Sequence, residues 1–203
     1  SDPMTQLKRM ESILKLSRDL TSTISLEPLL HKIVGAAAEL TDSEAASILL
    51  LNERTGKLRF IAASILGDRL ADIPVPVEGS IAGAAFTSGE PLIIPDVRTD
   101  RRYYKRVEQQ VQFEARSLLA VPLQFREHRI GVLEAENKRS DEGFDQEDVE
   151  TLTMLAAQAT VAIENARLME ALKETHDMTE ALRRSAATLS SSVDYQEVLD
   201  HIL

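Results

Sequence analysis

Two predicted β-hairpins constrain the fold of this chain more than any other sequence feature. Residues 47–51 and 58–62 are short apolar-rich runs, and the segment between them contains Thr55-Gly56, a typical hairpin-turn pair. Residues 117–125 and 130–137 form a second pair of such runs around four mostly charged residues. Because hairpins join antiparallel strands, whereas parallel strands need long crossover connections, the sequence predicts an antiparallel sheet.

Helical spacing of apolar residues accounts for much of the remaining chain. It predicts helices over residues 5–24 and 25–40, a short helix over 80–88, and a long helix from about residue 145. A further short strand is predicted over 91–94. The sequence therefore predicts an α+β fold: a central antiparallel sheet with helices on one face, flanked by long amphipathic N- and C-terminal helices.

The segment from Asp145 to Leu203 contains no Gly or Pro, which predicts a helix longer than a small domain needs. Six of its residues step by three and four, as in a coiled-coil seam: Leu152, Leu155, Ala159, Ala162, Ala166 and Met169. This seam favours a homodimer of parallel helices, and a solvated linker helix is the alternative. In a dimer, a change at a binding site could shift the helix pair and bias the next module.

Composition excludes several classes of function. The chain carries 23 Lys and Arg against 33 Asp and Glu, a net charge of −10, and only eight aromatic residues, so we expect no nucleic-acid binding. It contains no cysteine, which excludes disulfides, thiolate metal sites and cysteine nucleophiles. The four histidines lie in separate segments without metal-ligand spacing, so we expect neither a metal nor a cofactor. The longest apolar run, Ala45–Leu51, is too short to span a bilayer, and we expect a cytoplasmic protein.

The central part of the chain carries an ordered set of motifs. Gly79–Val97 is followed by Arg116–Leu123, then by Gly131-Val132-Leu133, and then by Asn137-Lys138. Phe144 and Asp148 follow at the spacing F-x-x-x-D. Over about residues 20–165 this set resembles the GAF domains, and the order of the segments is more specific than any one of them.

The resemblance implies a sensory or regulatory small-molecule-binding domain, usually joined to a kinase, a cyclase or a transcription activator. It also implies a central antiparallel sheet with a pocket on one face and dimerising helices on the other. Without cysteine, the chain cannot attach a bilin or act as a free-methionine sulfoxide reductase of this fold. Asn137-Lys138 and the Phe144/Asp148 pair are mainly structural in the family, and Val149 stands where the cyclic-nucleotide signature has an acidic residue.

The resemblance and the helical pattern together divide the chain. Residues 1–3, which precede Met4, are expected to be a cloning remnant, and residues 4–24 a signalling or dimerisation helix. Residues 25–165 form the GAF-like domain, and 166–188 a connecting helix. Residues 189–203 repeat the polar and apolar pattern of 20–34, which predicts the truncated start of a second such domain, although chance similarity of two capped helices is an alternative.

The candidate ligand-binding residues come from several segments. They are Ser80, Ile81, Ala82, Asp96, Tyr104, Ser117, Glu134 and Glu136. The two glutamates share one strand face with Val132. If that face lines a pocket, two carboxylates favour a cationic or donor-rich ligand over a phosphate; alternatively, the face is solvated.

Two other segments allow a binding or a structural interpretation. Gly79–Gly83 could direct backbone N–H groups at an anion or allow close packing of a helix on the sheet. The basic, aromatic stretch 100–106 could close over an anionic ligand or form a solvated loop.

The sequence therefore favours a non-enzymatic sensory module of a signalling protein, such as a two-component system. It would bind a small molecule and relay occupancy through dimeric helices to a C-terminal output module: a histidine kinase, a cyclase or an activator. The alternative is a ligand-free dimerisation or protein-interaction spacer. An enzyme of the same fold is the third hypothesis, which the missing thiols disfavour.

Overall fold

A computed structural model describes the backbone of residues 26–65 and 67–200 and the side chains of residues 26–65 and 69–188. The helix predicted over residues 4–24 therefore lies outside the described residues. The elements follow in this order: α1 (Leu26–Leu40), β1 (Ser43–Asn52), β2 (Lys57–Ala63), α2 (Gly67–Ala71), β3 (Pro74–Pro76), α3 (Ile81–Ser88), β4 (Leu92–Ile94), a 3-10 turn (Val97–Thr99), α4 (Arg106–Val111), β5 (Leu118–Phe125), β6 (His128–Lys138) and α5 (Gln146–Asp200).

The six strands form one antiparallel sheet in the order β3-β2-β1-β6-β5-β4. Both predicted hairpins are confirmed. In the first hairpin, the turn lies between the paired residues Asn52 and Lys57, and Gly56 has a φ of 66°. The second is tighter than its charge pattern indicates, because Phe125 pairs with His128 and leaves a two-residue turn. Arg126 adopts a φ of 56° there, the left-handed backbone that such short turns require.

The two longer helices bury their apolar stripes on one face of the sheet. The stripe of α1 consists of Leu30, Ile33, Val34 and Ala37. The first turns of α5 bury Leu152, Leu155 and Ala159 in the same core. These three residues and the buried Ala162 are the first four of the seam expected to face a partner chain. The structure instead packs the first three in the chain's own core, because helical periodicity marks an apolar face without identifying what covers it.

The opposite face of the sheet is covered by the short helices α2, α3 and α4 and the loops around them, which form a second apolar core. The antiparallel sheet with packed helices is therefore confirmed, with the longer helices on one face. The short helices on the other face are too brief to show helical periodicity, and they enclose the space described below.

The family motif after β6 connects that strand to α5. Lys138 Nζ lies 2.8 Å from both carboxylate oxygens of Asp148, which is 1% exposed. Phe144 lies under the same ammonium group, 5.9 Å from ring centre to Nζ. Asn137 has a φ of 60° and bridges the backbone N–H of Arg116 to the carboxylate of Glu44. These residues have the structural role that the resemblance implies.

The chain divides into two compact units, with the boundary between Ile163 and Glu164. In the second unit, the described side chains of α5 are largely exposed, including Leu168, Met169, Leu172, Met178 and Leu182. The helical backbone continues without a break to Asp200. The second domain copy predicted from residue 189 lies where no side chains are described, and it stays a prediction. Along residues 26–65 and 67–200, no helix is both long and apolar enough to cross a membrane.

Candidate ligand-binding cavity

A partly open cavity lies between the sheet and the short helices that cover its second face. Its empty space amounts to about 530 Å³ when the open solvent at its mouth is included. Strands β1, β2, β3, β5 and β6 supply its floor, and α3, α4 and the neighbouring loops supply its walls. The apolar lining consists of Leu49, Phe60, Val75, Ile81, Ala82, Val107, Phe113, Ala115 and Leu118.

Two carboxyl groups on β6 face this cavity. Strand alternation places Glu134 and Glu136 on the cavity side, together with Val132, and places Leu133 and Ala135 in the opposite core. Glu134 is 5% exposed, and Glu136 is half-buried. The two glutamates therefore do not lie on an open, solvated face.

The surroundings of these carboxyl groups disfavour their ionisation. Burial raises the pKa of Glu134 above the usual carboxyl range, and repulsion from Glu136 raises it further. Burial likewise raises the pKa of Glu136. Among the described residues that line the cavity, three carry carboxyl groups and none carries a basic group. The described lining residues therefore offer no positive charge to these carboxyl groups when they ionise.

The segment between the 3-10 turn and α4 forms one wall. Tyr103 and Tyr104 both line the cavity, and the Tyr103 hydroxyl donates a hydrogen bond to Glu108 Oε2. Burial raises the pKa of Tyr103, and the bond to Glu108 raises it further, so this phenol stays protonated. Glu108, the third carboxyl group of the lining, thus has a donor inside the protein.

The start of α3 forms the adjacent wall. Ser80 caps the helix, because its Oγ accepts a hydrogen bond from Gly83 N–H at 2.9 Å and donates one to Pro76 O. A Cβ at Gly83 would lie 1.9 Å from Val77 O, so only glycine allows the helix to approach the preceding loop. Gly83 thus has a packing role, and the Ser80 hydroxyl has intramolecular partners.

Six of the eight predicted site residues line the cavity: Ser80, Ile81, Ala82, Tyr104, Glu134 and Glu136. The other two do not. Asp96 caps the 3-10 turn and forms a salt bridge with Arg98 at 2.9 Å. Ser117 accepts a hydrogen bond from Lys138 N–H at 3.1 Å. Both residues belong to the family motif in the sequence, but their side chains are not part of the cavity lining.

Ser47, which the sequence analysis did not select, is a buried polar residue beside the cavity but outside its lining. Its Cα pairs with that of Glu134 across β1 and β6, and its side chain is 3% exposed. Its Oγ has no hydrogen-bond partner and lines a second, smaller cavity that shares Phe60, Phe113 and Glu136 with the first. The sequence feature that could have identified Ser47 is the alternation of side chains along β1, which places its hydroxyl on the same sheet face as Leu49.

The basic stretch 100–106 does not direct its described charges into the cavity. Arg102 forms a salt bridge with Asp100 at 2.7 Å, and Arg101 is exposed. Of the histidines in the described part of the chain, His128 and His176 are exposed and His31 lies 4.0 Å from Glu27. Within the described residues, no group of three or more histidines and carboxylates could hold a metal ion.

Comparison with known proteins gives consistent matches. A model of the GAF domain family matches residues 23–164. The chain is 28% identical over 184 residues to the dual 3',5'-cyclic-AMP and -GMP phosphodiesterase 11A of Takifugu rubripes; the match covers 85% of this chain and 20% of the phosphodiesterase. The chain thus spans about a fifth of the length of this relative.

Solved structures share the fold at low sequence identity. The GAF domain of a phosphoenolpyruvate-protein phosphotransferase (ptsP) from Coxiella burnetii has a TM-score of 0.73 at 17% identity, over 81% of this chain and 98% of that one. A free methionine-R-sulfoxide reductase from Neisseria meningitidis, solved with its substrate, has a TM-score of 0.68 at 20% identity, over 83% of this chain and 95% of that one. At these identities the similarity shows the fold alone.

The antiparallel sheet with long helices on one face and a cavity under short helices on the other is consistent with the GAF fold. Because the family model covers more than half of the sequence, the chain belongs to the GAF domain family. Members of this family are small-molecule-binding modules of signalling proteins that are joined to output modules.

Proposed function

We propose that this chain is a non-enzymatic sensory module that binds a small molecule in the cavity between the sheet and α3 and α4. The observation that carries the proposal is the cavity itself, which has apolar walls and buried carboxyl groups on its floor. A domain that served only as a spacer would gain nothing from a buried, unpaired carboxyl group, which destabilises the fold. The absence of cysteine from the sequence supports a binding role over thiol catalysis.

We further propose that α5 relays occupancy of the cavity by pairing with α5 of a second copy. In the second unit, five large apolar side chains between residues 168 and 182 are at least 60% exposed. A helix that leaves such residues in water gains stability by burying them against another helix. The output module would be a histidine kinase, a cyclase or an activator. The phosphodiesterase relative, a longer enzyme of which the match covers 20%, supports the proposal that such a domain is part of a larger protein.

A thermal-shift screen of the 203-residue chain tests ligand binding. The panel comprises cyclic AMP, cyclic GMP, amino acids, oxoacids and cationic metabolites, each at several concentrations. We expect at least one class to raise the melting temperature progressively with concentration. Ala115, which is 8% exposed and lines the cavity, provides the matching variant: Ala115→Met fills the space and should abolish that shift.

The control is Ala157→Met, the same substitution at an exposed position of α5. It should keep the ligand-induced shift, which separates filling of the cavity from a general effect of the added side chain. The spacer hypothesis replaces the proposal if no ligand class shifts the melting temperature, or if both variants bind as the unaltered chain does.

A further inference from the structure

We propose that the cavity recognises an organic cation, a primary ammonium group on a compact apolar or aromatic body. Glu134 is its counter-charge, and Glu136 and Ser47 are additional acceptors. This inference rests on the proposed function, because it names the ligand class of the same cavity. Three independent features of the site lead to it.

The first feature is a buried acid without a partner. Glu134 is 5% exposed, and no hydrogen bond or ion pair reaches its carboxyl group from the described residues. Asp148, the other buried acid among the described residues, is paired with Lys138. A buried carboxylate is costly unless a cation or donors compensate it. A ligand cation would provide the compensation that the protein lacks.

The second feature is a buried hydroxyl without a partner on the neighbouring strand. Ser47 Oγ has no hydrogen bond, although the residue is 3% exposed and stands directly opposite Glu134. A primary ammonium group has three donors and no acceptor. Glu134, Glu136 and Ser47 supply acceptors on two adjacent strands of one sheet face, which matches the number of those donors.

The third feature is the contrast between the polar floor and the rest of the lining. Phe60 and Phe113 border both the main and the smaller cavity, and they offer apolar and aromatic surface to the body of a ligand. Anionic ligands meet three carboxyl groups and no basic lining residue. Arg98 and Arg102 do not line the cavity, and they form salt bridges with Asp96 and Asp100. The charge of the site therefore disfavours phosphates and carboxylates.

Three probes that share a phenyl ring and differ in the charge and hydrogen-bonding capacity of the polar group test the proposal: benzylammonium, benzyl alcohol and benzoate. Their affinities are measured by isothermal titration calorimetry on the 203-residue chain at pH 8, where more of the two carboxyl groups ionise than at lower pH. We expect benzylammonium to bind at least about tenfold more tightly than benzyl alcohol, and benzoate more weakly than both. Equal affinities for benzylammonium and benzyl alcohol would overturn the proposal.

Matched variants connect the preference to the named residues. Glu134→Gln keeps the shape of the side chain and removes its charge, so it should weaken benzylammonium binding about tenfold and leave benzyl alcohol unchanged. Ser47→Ala should lower the affinity for benzylammonium about fivefold, which corresponds to the loss of one hydrogen bond. Glu127→Gln makes the same chemical change at an exposed turn and should have no effect. The proposal fails if Glu134→Gln and Glu127→Gln bind benzylammonium equally well.

The same measurements distinguish this proposal from the proposed function. If benzyl alcohol binds as tightly as benzylammonium and Ala115→Met abolishes both, the cavity is a binding site and only the cation preference is wrong. If no probe binds and the metabolite panel produces no thermal shift, both proposals are wrong. Circular dichroism of each variant confirms that the fold is retained, so a loss of binding is not a loss of structure.

Discussion

At the scale of single residues, Glu134 departs most from what its surroundings favour. Its neighbours along β6, Leu133 and Ala135, are fully buried and apolar, as expected for a central strand. Glu134 itself is almost as buried but carries an ionisable group that repulsion from Glu136 makes harder to charge. Buried ionisable groups that locally destabilise the fold are typical of binding sites.

The titration of Glu134 predicts a dependence of stability on pH. Its pKa is raised in the folded state above the unfolded value of about 4.3, so the folded protein binds more protons over the interval between the two. The contribution of this group to stability is therefore fully present below the unfolded pKa and is lost as pH rises through the folded pKa. Urea unfolding of the unaltered chain between pH 4 and 9 should show this decline.

In Glu134→Gln the loss of stability with rising pH should be smaller, because Glu136 is then the only one of the two glutamates whose raised pKa contributes. At pH 8 the variant should be more stable than the unaltered chain by roughly 1–3 kcal/mol, since a buried charge has been removed. Glu127→Gln, at the exposed turn, should keep the original pH dependence. Identical slopes for the two variants would mean that Glu134 does not titrate from a buried position.

At the scale of elements, the connection between β6 and α5 is held by a buried ion pair. Lys138 ends the strand with its side chain 11% exposed, and Asp148 lies in the first turn of the helix with its side chain 1% exposed. Asp148 also accepts a hydrogen bond from the backbone N–H of Asp145, and Asp145 Oδ1 accepts one from the backbone N–H of Asp148, so the two residues cap the helix start reciprocally. The Asp148 carboxylate thus helps to fix the start of α5 and also compensates the positive charge of Lys138 at the end of β6.

Removing this carboxylate should be strongly destabilising. Asp148→Ala leaves Lys138 buried without its partner, and we expect the free energy of unfolding to fall by about 3–5 kcal/mol. Asp141→Ala, an exposed position in the same loop, should change it by less than about 0.5 kcal/mol. Chemical denaturation followed by circular dichroism measures both. A loss below about 1 kcal/mol for Asp148→Ala would show that the pair is effectively solvated.

At the scale of the whole molecule, one helix has two different environments along its sequence. The seam residues Leu152, Leu155, Ala159 and Ala162 are buried in the sheet domain, where Met154 and Val161 are 46% exposed, whereas the large apolar residues between Leu168 and Leu182 are at least 60% exposed. The sequence pattern treats both stretches as one seam, because the spacing of three and four continues through the boundary. Most of the exposed large apolar residues of α5 therefore lie after Ile163, and the proposed pairing concerns that part of the helix.

The dimer proposal predicts a specific response to charge in this second part. Leu172→Glu places a carboxylate within the exposed apolar set and should shift the chain from dimer to monomer in sedimentation velocity experiments. Ala181→Glu is the matched control, because nine residues at about 100° each place it on the opposite side of the helix. A monomeric parent chain, or equal dissociation by both substitutions, would contradict pairing through this surface.

The fold was largely predictable because its signals are local. Hairpins and amphipathic stripes depend on neighbouring residues, so the turn at Thr55-Gly56 and the short helix predicted over residues 80–88 are both present in the structure. The cavity was only partly predictable. Asp96 and Ser117 belong to the family motif but lie outside the lining of the cavity. Ser47 lies 87 positions from Glu134 in the sequence, and the two residues are paired across β1 and β6.

The sequence by itself determined the family, the antiparallel sheet and the exclusion of cysteine chemistry, because each depends on residue type and short-range spacing. Only the tertiary structure decided that Glu134 is buried and that the start of the α5 seam packs on its own sheet. It also placed Ser47 opposite Glu134. Burial and unmet hydrogen bonds depend on what other elements bring to a position, and periodicity along one element carries no information about its neighbours.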